Sequence, residues 1–186
     1  MKQFKIAVII GSLRSASLNK KMANALIGLA PESLAFQIIE IGDLPLYNED
    51  KEEHVPQEWT RFRDELRYFD GLMFVTPEYN RSIPGALKNA IDIGSRPHGK
   101  SVWDSKPAAI ISVSPGSMGA FGANHHLRQS LVFINVPAMQ QPEAYIGHAN
   151  DFFDENDRLV DTSTVDFLKK FLSAFVEWLD RNVTVK

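Results

Sequence analysis

The feature that most restricts the fold is an alternation, repeated five times, of short apolar runs with segments of helical periodicity. The apolar runs read as buried strands and fall at residues 4–10, 34–41, 72–76, 108–113 and within 136–145. Pro142 is expected to interrupt or bend the last of them. The helical segments, in which apolar residues recur every three or four positions, fall near residues 18–29, 55–69, 84–94, 120–133 and 165–179. This alternation predicts a parallel sheet with helices on both faces.

A doubly wound α/β sheet of five strands has the flavodoxin-like architecture, with strand order 2-1-3-4-5. We predict that fold for residues 1–186 as a single domain, since no repeat, low-complexity segment or linker divides the chain. In such a sheet the loops after strands one, three and four meet in a crevice beyond the carboxyl ends of the strands. A ligand is therefore expected at these three loops.

Composition excludes several classes of function. The 186 residues include no cysteine, which rules out disulfides, thiolate metal sites and thiol catalysis. A formal net charge of −3 gives no electrostatic basis for binding nucleic acid or an anionic membrane. The apolar run near the amino terminus, residues 6–10, is too short for a signal sequence or a membrane span. We therefore expect a cytoplasmic protein.

The first loop, GSLRSASLN at residues 11–19, has the composition of a site for one phosphate group. Gly11 permits a sharp turn, and three serine hydroxyls supply hydrogen-bond donors. The N–H groups that open the next helix favour an anion, and Arg14 adds a guanidinium that can bind phosphate oxygens. The spacing G-x-G-x-x-G of a dinucleotide site is absent. The alternative is that Ser17 or Asn19 only caps the helix and Arg14 is solvated.

The second loop begins with PEYN at residues 77–80, directly after the third strand. Pro77 fixes the backbone direction, which leaves the N–H groups after it free to face a flat polar ligand. Tyr79 can pack beside such a ligand, and the Asn80 amide can form hydrogen bonds with it. The alternatives are a core or interface aromatic for Tyr79 and a solvated turn carboxylate for Glu78.

The third loop follows the fourth strand and carries glycines at positions 116, 119 and 122. Glycine lets a backbone approach a ligand closely, so the loop suits a binding site. Its spacing, G-x-x-G-x-x-G, is not that of a dinucleotide fingerprint. The loop taken alone is a weak indication of function.

Two other patterns are set aside. Gly94 to Ser101 matches the nucleotide-binding pattern G-x-x-x-x-G-K-[ST], but such a loop must follow a strand and open a helix. Here a helix comes first, with Gly94 as its expected C-terminal cap, so no ATP site is predicted. His125 and His126 are neighbours on a helix and point about 100° apart, so they cannot share a metal ion. We predict no metal site.

The segments GSLRSASLN, PEYNRSIPGALKNAID and HLRQSLVF together resemble the NAD(P)H-dependent FMN reductase family, most closely its bacterial quinone, chromate and azo-dye reductases. The resemblance also includes LPLYNED at residues 44–50 and covers nearly the whole chain. It implies an FMN bound by all three loops. The implied binding residues are Ser12, Leu13, Arg14, Ser15, Ser17, Leu18 and Asn19 at the phosphate, Pro77, Glu78, Tyr79 and Asn80 along the isoalloxazine ring, and Val113 and Ser114 on the ring's other side.

The resemblance further implies a reaction and an assembly. NADPH or NADH delivers hydride to FMN, and a quinone, azo compound, chromate or free flavin then takes the electrons. The flavin carries this chemistry, so no protein acid, base or nucleophile is expected. Family members are usually homodimers or homotetramers. Arg81 stands where close relatives carry an aromatic residue and Gly122 where an arginine is common, which places the acceptor pocket and the tetramer in question.

The main alternative function is that of a flavodoxin-like one-electron carrier, which would share the fold but pass electrons to a protein partner. Such carriers usually present a strongly acidic face. The 20 basic against 23 acidic side chains of this chain favour the enzyme instead. An NTPase is the other alternative, and it rests only on the string from Gly94 to Ser101.

Overall fold

The computed structural model describes residues 3–183 and contains one parallel sheet between two layers of helices. The strands are β1 (Phe4–Ile10), β2 (Leu34–Ile39), β3 (Gly71–Thr76), β4 (Ala108–Val113) and β5 (Ala144–Ile146). The helices are α1 (Leu18–Gly28), α2 (Gln57–Leu66), α3 (Gly85–Gly94), α4 (Phe121–Phe133) and α5 (Thr162–Asn182). Two short 3₁₀ helices, Glu49–Glu52 and Ala149–Phe152, lie in the connections.

The strand order is β2-β1-β3-β4-β5 and every pairing is parallel, which confirms the predicted flavodoxin-like sheet. The chain runs outward in one direction from β1 to β2 and in the other from β3 to β5. β1 and β3 are neighbours in the sheet, and the connections that follow them run in opposite directions. This opens a crevice between them at the carboxyl edge of the sheet.

Each face of the sheet carries its own apolar core, which explains why the strands read as continuous apolar runs. Successive strand residues point to opposite faces. On one face α2, α3 and α4 cover the sheet, with Trp59, Phe62 and Trp103 fully buried. On the other face α1 and α5 cover it, with Met22 and Phe175 fully buried. β3 and β4 are buried along their whole length.

Two of the predicted strands have different bounds in the structure. β2 ends at Ile39 and not at residue 41, because the Glu40 carboxylate accepts a hydrogen bond from the N–H of Gly42 and turns the chain. The fifth strand is only Ala144–Ile146. The chain pairs with β4 near Ala138, leaves it, and rejoins it after Pro142, which has no N–H to donate.

Gly94 is not a left-handed C-terminal cap. It is the last residue of α3, and the following Ser95 keeps right-handed helical backbone angles. The indole ring of Trp103 occupies the space where a side chain at position 94 would lie. The glycine therefore serves close packing. Among residues 3–183, no helix combines the length and the apolar character that crossing a bilayer demands.

Candidate functional site

A cleft of about 440 Å³ opens at the carboxyl edge of the sheet, where the loops after β1, β3 and β4 meet. We call it the carboxyl-edge cleft. It brings together ten of the thirteen predicted site residues: Ser12, Arg14, Ser17, Leu18, Asn19, Pro77, Glu78, Tyr79, Val113 and Ser114. Its lining also includes four residues that the sequence did not indicate: Ala16, Lys21, Pro115 and Asn150.

The other three predicted residues lie outside this lining. Leu13 and Ser15 line a neighbouring cleft of about 330 Å³ on the β2 side of the first loop. Ser12 and Arg14 line this second cleft as well, so the first loop separates the two clefts. Asn80 lies at the tip of a turn with a left-handed φ of 52°, beyond the wall formed by Pro77, Glu78 and Tyr79.

The first loop presents the N-terminus of α1 to the carboxyl-edge cleft. Ser17 caps the helix, and its buried hydroxyl oxygen accepts a 3.2 Å hydrogen bond from the N–H of Asn19. The first turn carries no acidic side chain, so no carboxylate neutralises the positive end of the helix dipole. Arg14 is exposed at the rim of the cleft. The capping role that we weighed for Ser17 is therefore real and coexists with an anion-binding geometry.

Asn19 lies at the floor of the carboxyl-edge cleft and is only 3% exposed. Its side-chain N–H group donates a 3.5 Å hydrogen bond to the carbonyl oxygen of Val113. Its Oδ1 is buried and has no hydrogen-bond partner among residues 3–183. Buried polar atoms without a partner are uncommon, and one that lines a cleft indicates a site for a ligand with a donor group.

The second loop forms a tight turn whose ends are joined by reciprocal backbone bonds. The N–H of Tyr79 donates to the carbonyl of Ser82 at 2.8 Å, and the N–H of Ser82 donates back at 3.0 Å. Asn80 and Arg81, the two central residues, both have φ above +50°. These are the backbone angles of a type I′ turn. The expectation that all N–H groups after Pro77 face a ligand was therefore wrong for Tyr79.

Glu78 does not behave as the solvated turn carboxylate that we considered. Its Oε2 accepts a 3.1 Å hydrogen bond from the N–H of Ala123 in the first turn of α4. Its Oε1 accepts a 3.0 Å bond from the Arg81 guanidinium. Only 13% of the Glu78 side chain is exposed. The carboxylate thus ties the second loop to the helix that begins after the third loop.

The glycines of the third loop serve contacts between loops. A Cβ at Gly119 would lie 2.5 Å from the backbone of Tyr145, and one at Gly122 would lie 2.9 Å from Oε2 of Glu78. The prediction that these glycines approach a ligand was wrong for both positions, because the neighbouring segments already fill the space. The Ser114 hydroxyl forms hydrogen bonds with the carbonyl and the N–H of Gly116, which fix the turn that opens the loop.

Beside the third loop, His125 packs in a cluster with the aromatic rings of Phe121 and Tyr145. The Nε2 of His125 lies 2.9 Å from the hydroxyl of Tyr145, and the Phe121 ring packs on both. Burial raises the pKa of Tyr145 to about 12, and the nearby Glu143 carboxylate contributes to the rise. His126 instead pairs with Ser82. Within residues 3–183 no cluster of side chains has the composition of a metal site.

The sequence analysis did not identify two polar residues of the cleft, Lys21 and Asn150, and only the first could have been inferred from a local pattern. Lys21 lies one helical turn after Ser17, so the 3.6-residue period could have placed it on the same face of α1. Asn150 lies in the 3₁₀ helix after β5. Its approach depends on the connection from β5 to α5, and no motif in the sequence marks that connection.

The arrangement fits a phosphorylated aromatic ligand such as FMN. The start of α1 carries no acidic side chain and Arg14 lies at the rim, which suits the phosphate. Lys21 also lines the cleft, but its ammonium is paired with the Asp157 carboxylate at 2.5 Å. The buried Oδ1 of Asn19 can accept a hydrogen bond from a hydroxyl of the ribityl chain. The apolar surfaces of Pro77 and Tyr79 stand on the second-loop side, where a flat ring can lie.

Comparison with known proteins bears on the same question. The model of the NADPH-dependent FMN reductase family matches residues 4–151. A quinone reductase from Pseudomonas putida is 57% identical over 183 residues, which make up 98% of each chain. A 2-hydroxy-1,4-benzoquinone reductase from a Burkholderia species is 45% identical over 180 residues, 96% of this chain and 98% of that protein. The structure of FerB, a flavoenzyme NAD(P)H:(acceptor) oxidoreductase from Paracoccus denitrificans, has a TM-score of 0.92 at 40% identity and covers 97% of this chain and 100% of its own.

These comparisons confirm the resemblance that the segments at residues 11–19, 77–92 and 126–133 indicated, and with it the enzyme class and FMN as the cofactor. The matched range 4–151 contains every predicted site residue. The chain belongs to the NADPH-dependent FMN reductase family.

Proposed function

We propose that the protein binds FMN in the carboxyl-edge cleft and uses it to transfer hydride from NADPH or NADH to small acceptors such as quinones. The observation that carries the proposal is that three features meet in one cleft. These are the N-terminus of α1 without an acidic side chain, the buried Oδ1 of Asn19 without a hydrogen-bond partner, and the turn that presents Pro77 and Tyr79. The names of the relatives, which include quinone and benzoquinone reductases, support quinones as the acceptor class.

The chain's own residues bind and orient the cofactor. The N–H groups at the start of α1, together with Arg14, hold the phosphate and fix the register of the ligand in the cleft. Pro77 and Tyr79 support one side of the ring, while Val113 and Ser114 face it across the cleft. FMN, when bound, supplies the atom that accepts and returns hydride. We assign no proton transfer to a protein side chain.

The exposure of Tyr79 bears on how substrates reach the ring. Its side chain is 48% exposed, so the second-loop side of the cleft is open to solvent. An open rim lets a nicotinamide bind, leave and be replaced by a planar acceptor at the same place. Small planar acceptors such as quinones fit this arrangement, whereas an acceptor that must be enclosed does not.

Steady-state kinetics test the proposal. The purified protein, with added FMN, is assayed for oxidation of NADPH and of NADH in the presence of 1,4-benzoquinone. We expect turnover that saturates with quinone and greatly exceeds that of free FMN. Arg67→Ala, which changes an exposed cation on the far side of the chain, serves as a control and should match the parent protein. Rates equal to those of free flavin would contradict the assignment.

We also propose that residues 1–186 function as one domain in a cytoplasmic homodimer or homotetramer. Tyr79, Met118 and Phe121 each expose more than two-fifths of a large apolar side chain near the cleft. They lie on the second loop, the third loop and the first residue of α4, and grouped exposed apolar side chains are typical of an interface. Sedimentation velocity over a range of concentrations should show an oligomer, and Phe121→Glu should shift it toward monomer. A monomer at every concentration would exclude the assembly.

A further inference from the structure

Helix α4 begins without a capping residue of its own. Ala120, which precedes it, has left-handed backbone angles and no side chain able to cap. The first N–H groups of any α-helix have no partner within the helix. In α4 the Glu78 carboxylate accepts from the third of them, that of Ala123, at 3.1 Å. The cap therefore comes from the second loop, 45 residues earlier in the chain.

The same carboxylate is held from its other side. Its Oε1 accepts from the Arg81 guanidinium at 3.0 Å, and Arg81 belongs to the tight turn that Glu78 precedes. A second bond joins this turn to α4, since the Ser82 hydroxyl lies 2.6 Å from Nδ1 of His126. The turn is thus fastened to the helix at Ala123 and at His126, one turn apart.

Gly122 provides the space for this contact. A Cβ at that position would lie 2.9 Å from Oε2 of Glu78 and 3.2 Å from the carbonyl oxygen of Arg81. Gly122 has no left-handed φ, so its backbone angles do not require glycine. Its role is therefore steric. A larger residue would displace the carboxylate, the Arg81 backbone or both.

We propose that Glu78 is a positioning residue for the flavin, and that Gly122 is its steric complement. This inference rests on the proposed FMN site, because it assigns the spacing between the second and third loops to one carboxylate. Glu78 lines the carboxyl-edge cleft, so its charge also lies beside the ligand. That negative charge balances the positive end of α4 and the Arg81 guanidinium.

Two variants break the contact from opposite sides. Glu78→Ala removes the carboxylate, and Gly122→Ala pushes it away. Fluorescence titration with FMN should show about a tenfold loss of affinity in each. The double variant should be no weaker than the weaker single one, because residues that act through one contact are not additive. Gly85→Ala is the matched control, since Gly85 also lies in the first turn of a helix but has open space around it. It should bind FMN as the parent does.

A conservative variant separates position from charge. Glu78→Gln keeps an oxygen that can accept from the N–H of Ala123, and the exposed Arg81 side chain can turn away from the new amide. FMN affinity and the thermal unfolding midpoint of the FMN-free protein should stay close to those of the parent. The midpoint potential of bound FMN should rise, because the added charge of the reduced flavin meets less repulsion. A tenfold change in the affinity for reduced FMN relative to that for oxidised FMN corresponds to about 30 mV for a two-electron couple.

The outcomes are distinguishable. If the parent protein binds FMN and both alanine variants bind it equally well, the positioning role is wrong while the proposed function stands. An unchanged midpoint potential of bound FMN in Glu78→Gln would show that the charge of Glu78 does not act on the flavin. If the parent does not bind FMN, the proposed function fails, and hydrogen exchange at the Ala123 amide still tests the contact. That exchange should accelerate in Glu78→Ala and not in Gly85→Ala, and equal rates would show that the Glu78 carboxylate does not cap α4.

Discussion

The side-chain amide of Asn19 in α1 donates a 3.5 Å hydrogen bond to the carbonyl oxygen of Val113, the last residue of β4. This bond joins the first and third loops at the floor of the carboxyl-edge cleft. The cleft is therefore a product of contacts between loops as well as of the strand order. Loops held in this way are better placed to bind a rigid ring than loops that move independently.

Asn19→Ala should reduce FMN affinity by roughly two- to twelvefold, because one hydrogen bond to the ligand contributes about 0.5–1.5 kcal/mol. Asn89 is the matched control. It is also a buried asparagine, but its side chain is fully used by bonds to Tyr47 and Leu44, outside the cleft. Asn89→Ala should cost about 1–3 kcal/mol of unfolding free energy and leave FMN affinity unchanged. Calorimetric titration and chemical denaturation measure the two effects, and equal losses of affinity would contradict the assignment of Asn19.

Arg14→Ala should weaken FMN binding while leaving the fold intact. A hydrogen bond to a charged group contributes about 1.5–3 kcal/mol, or roughly 10- to 150-fold in affinity. Riboflavin, which lacks the phosphate, provides the matched ligand control. Its affinity should be the same for Arg14→Ala and the parent protein, as measured by fluorescence quenching. A similar loss for both ligands would mean that Arg14 acts on something other than the phosphate.

Gly94→Ala should destabilise the protein, because the Trp103 indole fills the space beside Gly94. Overpacking of this kind costs typically about 1–3 kcal/mol. Gly28→Ala, a helical glycine with nothing within 4 Å of the added methyl group, should instead stabilise by about 0.5–1 kcal/mol. Urea denaturation measures both. An unchanged unfolding free energy in Gly94→Ala would show that close packing against Trp103 does not require glycine at that position.

The raised pKa of Tyr145, about 12, makes stability depend on pH in the alkaline range. The folded-state pKa lies above the unfolded value of about 10, so the folded protein retains the phenol proton longer. The stability linked to this proton is present below about pH 10 and is lost as the pH rises toward 12. Between pH 9 and pH 11 the parent protein should therefore lose more stability than Tyr145→Phe. Urea denaturation at both pH values measures the difference, and parallel losses would contradict the shift.

The sheet and the place of the cleft were predictable from the sequence because both depend on periodicity and chain order. Five buried runs separated by amphipathic segments leave few topologies, and strand order places the ligand loops at one edge. The first loop was interpretable in part because Ser17 and the helix after it act locally. These features require only neighbours in sequence.

The contacts made by single side chains across the site were not predictable in this way. The sequence predicts Glu78 beside the ring, with a solvated turn carboxylate as the alternative, whereas its hydrogen-bond partner, the N–H of Ala123, lies 45 positions later. The glycines at 119 and 122 have the spacing of a ligand-binding loop, but the groups that approach them are the Tyr145 backbone and the Glu78 carboxylate. Which distant backbone reaches a glycine depends on tertiary packing, and no local pattern records it.

Diffraction from crystals of the protein grown with FMN would show where the cofactor binds. We expect one FMN in each chain, with its phosphate at the start of α1 beside Arg14 and its ring between the second and third loops. The Oδ1 of Asn19 should accept a hydrogen bond from the ligand. FMN bound elsewhere, or with its phosphate away from α1, would show that the three loops do not form the cofactor site.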